Sequence, residues 1–117
     1  MITAAAGLRQ ETIIGDGLIY HVDANDRTSY RGGGTEWRDL VGTNHGALTN
    51  SPTFNSSGYF DFDGSDDYVK LANNTTLQVA TDNHSLFFWM KTTDGSTQVV
   101  MEKGSGNNEL AAWVVSN

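Results

Sequence analysis

The chain has 117 residues, with 14 Asp and Glu against 7 Lys and Arg for a formal charge of −7, the size of one domain. So few cations cannot line a nucleic-acid backbone, which argues against nucleic acid as a partner, and the lack of cysteine excludes disulfide scaffolds, thiolate metal sites and cysteine nucleophiles. No apolar run reaches the roughly 20 residues of a membrane helix, and residues 1–18 lack the basic start and apolar core of a signal peptide, so neither membrane insertion nor a cleaved leader is expected.

Residues 1–12 read as an N-terminal arm, and 13–117 as one module. In 18–23, Leu18, Tyr20 and Val22 alternate with Ile19, His21 and Asp23, the period of a strand. The following stretch holds Gly32, Gly33 and Gly34 and reads as a long loop, because glycine reaches backbone angles that side chains forbid. No Lys-Ser/Thr pair follows these glycines, which excludes a phosphate loop. Trp37 and Leu40 return the chain to a core. Residues 59–63 and 68–71 alternate around Gly64-Ser65-Asp66-Asp67 and predict a hairpin.

Residues 85–91 are apolar on both faces, with Leu86, Phe88 and Met90 on one and Phe87 and Trp89 on the other, which predicts an inner strand covered on both sides. Residues 99–101 and 110–115 predict two more strands joined across 103–108. With 13 Gly, one Pro and no sustained helical period, the class is all-β.

Four carboxylates fall within 61–67: Asp61, Asp63, Asp66 and Asp67. Asp61 and Asp63 share one face of a strand, with Asp66 and Asp67 at the adjoining turn, so their oxygens are candidate ligands for a hard cation such as Ca²⁺. The spacing is not that of an EF-hand, since Gly64 stands fourth from Asp61 and Ala72 twelfth, where a Glu is needed. The alternative is a turn at Asp63-Gly64 closed by side-chain to backbone hydrogen bonds. No cofactor is required by any other pattern. His21, His45 and His84 are too far apart in sequence for a close zinc pair and read as structural or exposed. Of the aromatic residues, Tyr30 lies in the Gly-rich loop and is the candidate ring for stacking on a sugar, against the alternative that it packs in the core.

Residues 17–24 (Gly-Leu-Ile-Tyr-His-Val-Asp-Ala), then Trp37-Arg38-Asp39-Leu40, His45-Gly46-Ala47-Leu48, and 62–69 (Phe-Asp-Gly-Ser-Asp-Asp-Tyr-Val) follow one another in an order that resembles laminin-G-like modules of the concanavalin A-like lectin/glucanase superfamily. Residues 85–91 followed by Glu102-Lys103-Gly104 are similar to the strands expected next. The resemblance implies an antiparallel two-sheet jelly-roll sandwich, used to bind glycans or proteins in phage virion proteins, bacterial surface proteins and secreted enzymes. The Gly-rich stretch before Trp37 looks most like the phage examples.

Two departures from the family stand out. The linker Val41-Gly42-Thr43-Asn44 is shorter than the family's loop. Such jelly rolls also run to nearly twice this length, so the chain is expected to hold about the first half of the usual fold. The expectation is then a truncated sandwich, either part of a longer polypeptide or completed by a neighbouring subunit, which makes it an oligomer with Phe87, Phe88, Trp89 and Trp113 seeking cover. The glucanase branch needs two Glu around an Asp on one strand, whereas Glu11, Glu36, Glu102 and Glu109 are isolated, so no enzymatic activity is expected. The expected role is a non-catalytic virion component at the virion surface: a decoration, fibre or tail-associated protein whose partners are neighbouring subunits. The alternative is an extracellular glycan-binding module of a bacterial surface or secreted protein.

Overall fold

A computed structural model describes residues 13–78, 83–103 and, for the backbone, 110–114. The expected arm, 1–12, and the side chain of Trp113 lie outside the described residues. The chain divides into two compact units, Met1–Asn74 and Thr75–Asn117. Among the described residues there is no α-helix, every strand pairing is antiparallel, and the fold is all-β. No helix among them is long and apolar enough to cross a membrane.

In the first unit, β1 (Glu36–Trp37), β2 (Gly46–Thr49) and β5 (Tyr68–Leu71) form a sheet in the order β1-β2-β5, with Trp37 opposite Gly46 and Leu48 opposite Val69. β2 alternates as a strand with one covered face should, burying Gly46 and Leu48 and exposing Ala47. The strands β3 (Thr53–Asn55) and β4 (Tyr59–Asp61) form a separate hairpin. Its turn is made by Asn55, which accepts the Gly58 N–H on its carbonyl at 2.9 Å and the Ser57 N–H on Oδ1 at 2.9 Å. Gly58 sits at φ +88, and a Cβ there would lie 2.5 Å from Asn25 Oδ1, so the turn accepts only glycine.

These sheets correct the predicted hairpin between 59–63 and 68–71. β4 pairs with β3, and β5 pairs with β2, so the Gly64–Asp67 connection carries the chain from one sheet to another. The alternation of these segments was real, but alternation fixes a buried face and says nothing about which strand lies alongside. What places β4 is aromatic packing. Phe60 stands 4.8 Å from the ring centroids of both Tyr30 and Trp37 and 5.5 Å from Phe54, at the tilted and edge-on angles that aromatic rings prefer.

Residues 18–23, predicted as a strand, form no ladder. They run alongside the segment after β1 instead, where the Leu40 N–H donates to the His21 carbonyl at 2.8 Å and the His21 N–H donates to Asp39 Oδ1 at 3.1 Å. Leu18, Tyr20 and Val22 are half-buried and Ile19 and Asp23 exposed, but His21 is half-buried as well, so the predicted alternation survives only in part.

In the second unit, β6 (Gln98–Lys103) and β7 (Leu110–Val114) pair antiparallel with an irregularity between Val99 and Met101, as predicted. A single 3-10 turn covers Thr75–Leu77. The inner strand predicted at 85–91 is not formed: these residues belong to no sheet, and Phe87 and Trp89 are 83% and 91% exposed. Their rings meet edge to face at 5.9 Å. A strand apolar on both faces needs neighbours in its sheet and a layer on each side, and no described residue supplies them here.

Candidate functional site

The loop between Ser29 and Arg38 is closed at its base by a buried serine. Ser29 is 1% exposed. Its hydroxyl donates to the Arg38 carbonyl at 2.7 Å and accepts the Asp23 N–H at 3.1 Å, while its own carbonyl accepts the Arg38 N–H at 2.8 Å. The next residue pins the loop from inside. Tyr30 is 5% exposed, with its ring 4.9 Å from Phe54 and 4.8 Å from Phe60, and its hydroxyl donates to the Gly34 carbonyl at 3.0 Å. This corrects the expectation that Tyr30 offers a stacking face: the ring is core, and its role is to hold the loop.

Asp39, not among the candidate site residues read from the sequence, organises the other side of the loop. Its Oδ1 accepts the N–H groups of His21 (3.1 Å) and Val41 (3.0 Å), and its Oδ2 accepts that of Asn44 (3.2 Å). Burial opposes ionisation of this carboxyl, but the N–H groups of Val41, His21, Asn44 and Gly42 outweigh it and hold the pKa below the usual carboxylate range. The Asp39 N–H in turn donates to His45 Nδ1 at 3.1 Å. Nearby, burial and then the Asp39 charge push the Tyr20 hydroxyl up to about 12. The signal for this role was present, since a short acidic side chain before Val41-Gly42-Thr43 is suited to capping a turn.

Above this frame lies a cleft of about 210 Å³ lined by Ser29, Arg31, Gly33, Gly34, Thr35, Glu36 and Arg38. Gly32 and Gly34 take φ +90 and +88, which lets the loop double back over the Tyr30 ring. Arg38 Nε donates to Glu36 Oε1 at 2.8 Å.

The predicted cation site is partly assembled. Asp63, Asp66 and Asp67 can each offer a carboxylate oxygen, all within 4.8 Å of one another, whereas Asp61, at the end of β4, is not among them. The turn explains why these three meet. Asp63 Oδ1 accepts the N–H groups of Ser65 (2.8 Å), Asp66 (3.2 Å) and Asp67 (3.4 Å), and Asp67 Oδ2 accepts the Asp63 N–H at 3.1 Å. From β2's end, Asn50 Nδ2 donates to the Asp66 carbonyl at 2.7 Å. The backbone N–H groups of Ser65, Asp66 and Asp67 hold the Asp63 pKa below the usual range. Side-chain closure of the turn is thus present, with Asp63 and Asp66 exposed and Asp67 half-buried.

His21, His45 and His84 form no metal-ligating group among the described residues. Against known proteins, no family model, no curated protein and no solved structure matches the chain.

Proposed function

We propose that this chain is a non-catalytic structural module with the two-sheet jelly roll of the laminin-G/concanavalin A-like kind, serving at a virion surface as a decoration, fibre or tail-associated protein. The observation that carries this reading is the apolar segment 86–90, where Phe87 and Trp89 are 83% and 91% exposed and Leu86, Phe88 and Met90 are exposed at 40–43%. Apolar area of this size, continuous along the chain, belongs against another surface. Repetitive assemblies supply such a surface at fixed stoichiometry. The all-β fold and the antiparallel sheets are compatible with the sandwich.

The test is sedimentation velocity of the full chain across a concentration series. A reversible, concentration-dependent oligomer that Phe87→Ser with Trp89→Ser returns to monomer supports the reading. A cooperatively folded monomer at all concentrations overturns it.

A second reading, a glycan-binding module of a bacterial surface or secreted protein, is favoured by the clustered carboxylates of Asp63 and Asp66, both exposed, and of half-buried Asp67. Ca²⁺ held at such a turn keeps open coordination positions that sugar hydroxyls can fill. A glycan array read with and without Ca²⁺ separates the two: Ca²⁺-dependent retention of one glycan by a monomer supports the second and removes the first.

A further inference from the structure

We infer that the cleft between Arg31 and Arg38 is a binding site for an oxyanion, the carboxylate or sulfate of an acidic saccharide. The first observation is the charge distribution. The chain carries −7 overall, yet residues 27–38 hold three of its seven cations, Arg27, Arg31 and Arg38, against the single acid Glu36. Two of the three arginines, Arg31 and Arg38, line the cleft.

The second observation is that Arg31 makes no ion pair or hydrogen bond among the described residues. In a protein with twice as many acids as bases, an arginine beside a cleft and without a carboxylate partner leaves its five donors for a ligand. The guanidinium fork matches the spacing of two oxygens on one carboxylate or sulfate. Arg38 is half-used: Nε is bound to Glu36 Oε1, and its terminal nitrogens make no hydrogen bond or ion pair among the described residues.

The third observation is rigidity. Tyr30, directly before Arg31, is locked in the aromatic cluster and tied to the Gly34 carbonyl, and the Ser29–Arg38 pair closes the base of the loop. The cleft is therefore formed before any ligand arrives, which lowers the entropic cost of binding. At about 210 Å³ it is below the roughly 300–1,000 Å³ of sites that engulf drug-sized molecules. It suits one charged sugar unit of a chain running across the surface. A Cβ at Gly33 or Gly34 would meet no atom within 4 Å, so the loop backbone leaves room for that unit. Thr35, also in the lining, has a hydroxyl to offer that unit.

Isothermal titration of the full chain with three oligosaccharides of equal length, one of uronic acid units, one sulfated and one neutral, tests the assignment. Binding of an acidic oligomer and not of the neutral one is expected, and which of the two binds tells carboxylate from sulfate. Arg31→Gln, at an exposed side chain with no hydrogen bond or ion pair among the described residues to lose, should weaken it roughly ten- to hundredfold, the worth of a hydrogen bond to a charged group. Glu36→Gln should tighten it, because the Arg38 fork is released and the one opposing charge removed; a merely structural role for these residues would give no such gain. Lys70→Gln, on β5, should leave the affinity unchanged. Absence of binding by both acidic oligomers, equal binding of the neutral one, or indifference to Arg31→Gln would overturn the assignment. None of these outcomes depends on whether the segment 86–90 is covered.

Discussion

Ser29 and Arg38 are joined twice, through the Ser29 hydroxyl to the Arg38 carbonyl at 2.7 Å and through the Arg38 N–H to the Ser29 carbonyl at 2.8 Å. A side chain of only two heavy-atom bonds, with the backbone bond beside it, thus closes the base of a loop whose far end, β1, is held by its ladder to β2. Replacement of Ser29 by Ala leaves the Arg38 carbonyl and the Asp23 N–H without that partner in a site that water barely reaches. The expected cost is about 1–3 kcal/mol, read as a lower urea midpoint at unchanged slope.

Asp39 makes the first unit sensitive to acid. Its folded-state pKa is held below the ordinary carboxylate value, so its contribution is fully present above the unfolded pKa of about 3.9 and is lost as pH falls through the lower, folded value. Asp39→Asn should therefore lower the melting temperature at neutral pH and flatten its dependence on pH in the acid range. Equal acid dependence in both proteins would assign that sensitivity elsewhere.

The turn at 63–67 separates a capping role from a metal role. Asp63→Ala removes the acceptor of three backbone N–H groups and should destabilise the protein with or without Ca²⁺. Asp66→Asn keeps that acceptor and removes one carboxylate. If Ca²⁺ binds, it raises the melting temperature of the wild type by mass action and does so less in Asp66→Asn; identical responses would leave the turn with its structural role alone.

Gly58→Ala should destabilise the β3–β4 hairpin by at least the ~1–2 kcal/mol that a left-handed residue costs any side chain. The new methyl would also collide with Asn25, whose Oδ1 and Cβ lie 2.5 and 2.6 Å from its position. Thermal denaturation of the variant beside Gly64→Ala separates the two effects, because Gly64 shares the positive φ (+72) and has nothing within 4 Å.

The all-β class, the Gly-rich loop, the β6–β7 pair and the meeting of Asp63, Asp66 and Asp67 were legible in the sequence, because each depends on neighbours along the chain: alternation, glycine's freedom, and the short reach of an aspartate to N–H groups two to four residues on. Strand partners and burial were not legible. Tyr30 has the sequence setting of an exposed loop residue, yet Phe54 and Phe60, arriving from a hairpin more than twenty residues later, enclose it. Residues 59–63 and 68–71 look like one hairpin, and only the competition for the Tyr30–Trp37–Phe60 cluster sends them to different sheets. The arginine cleft belongs to the same class, since the sequence shows three arginines around a Gly-rich loop, whereas the two hydrogen bonds between Ser29 and Arg38 bring its ends together. Local chemistry fixes turns and periods; long-range packing alone decides which faces meet and which charges are left without a partner.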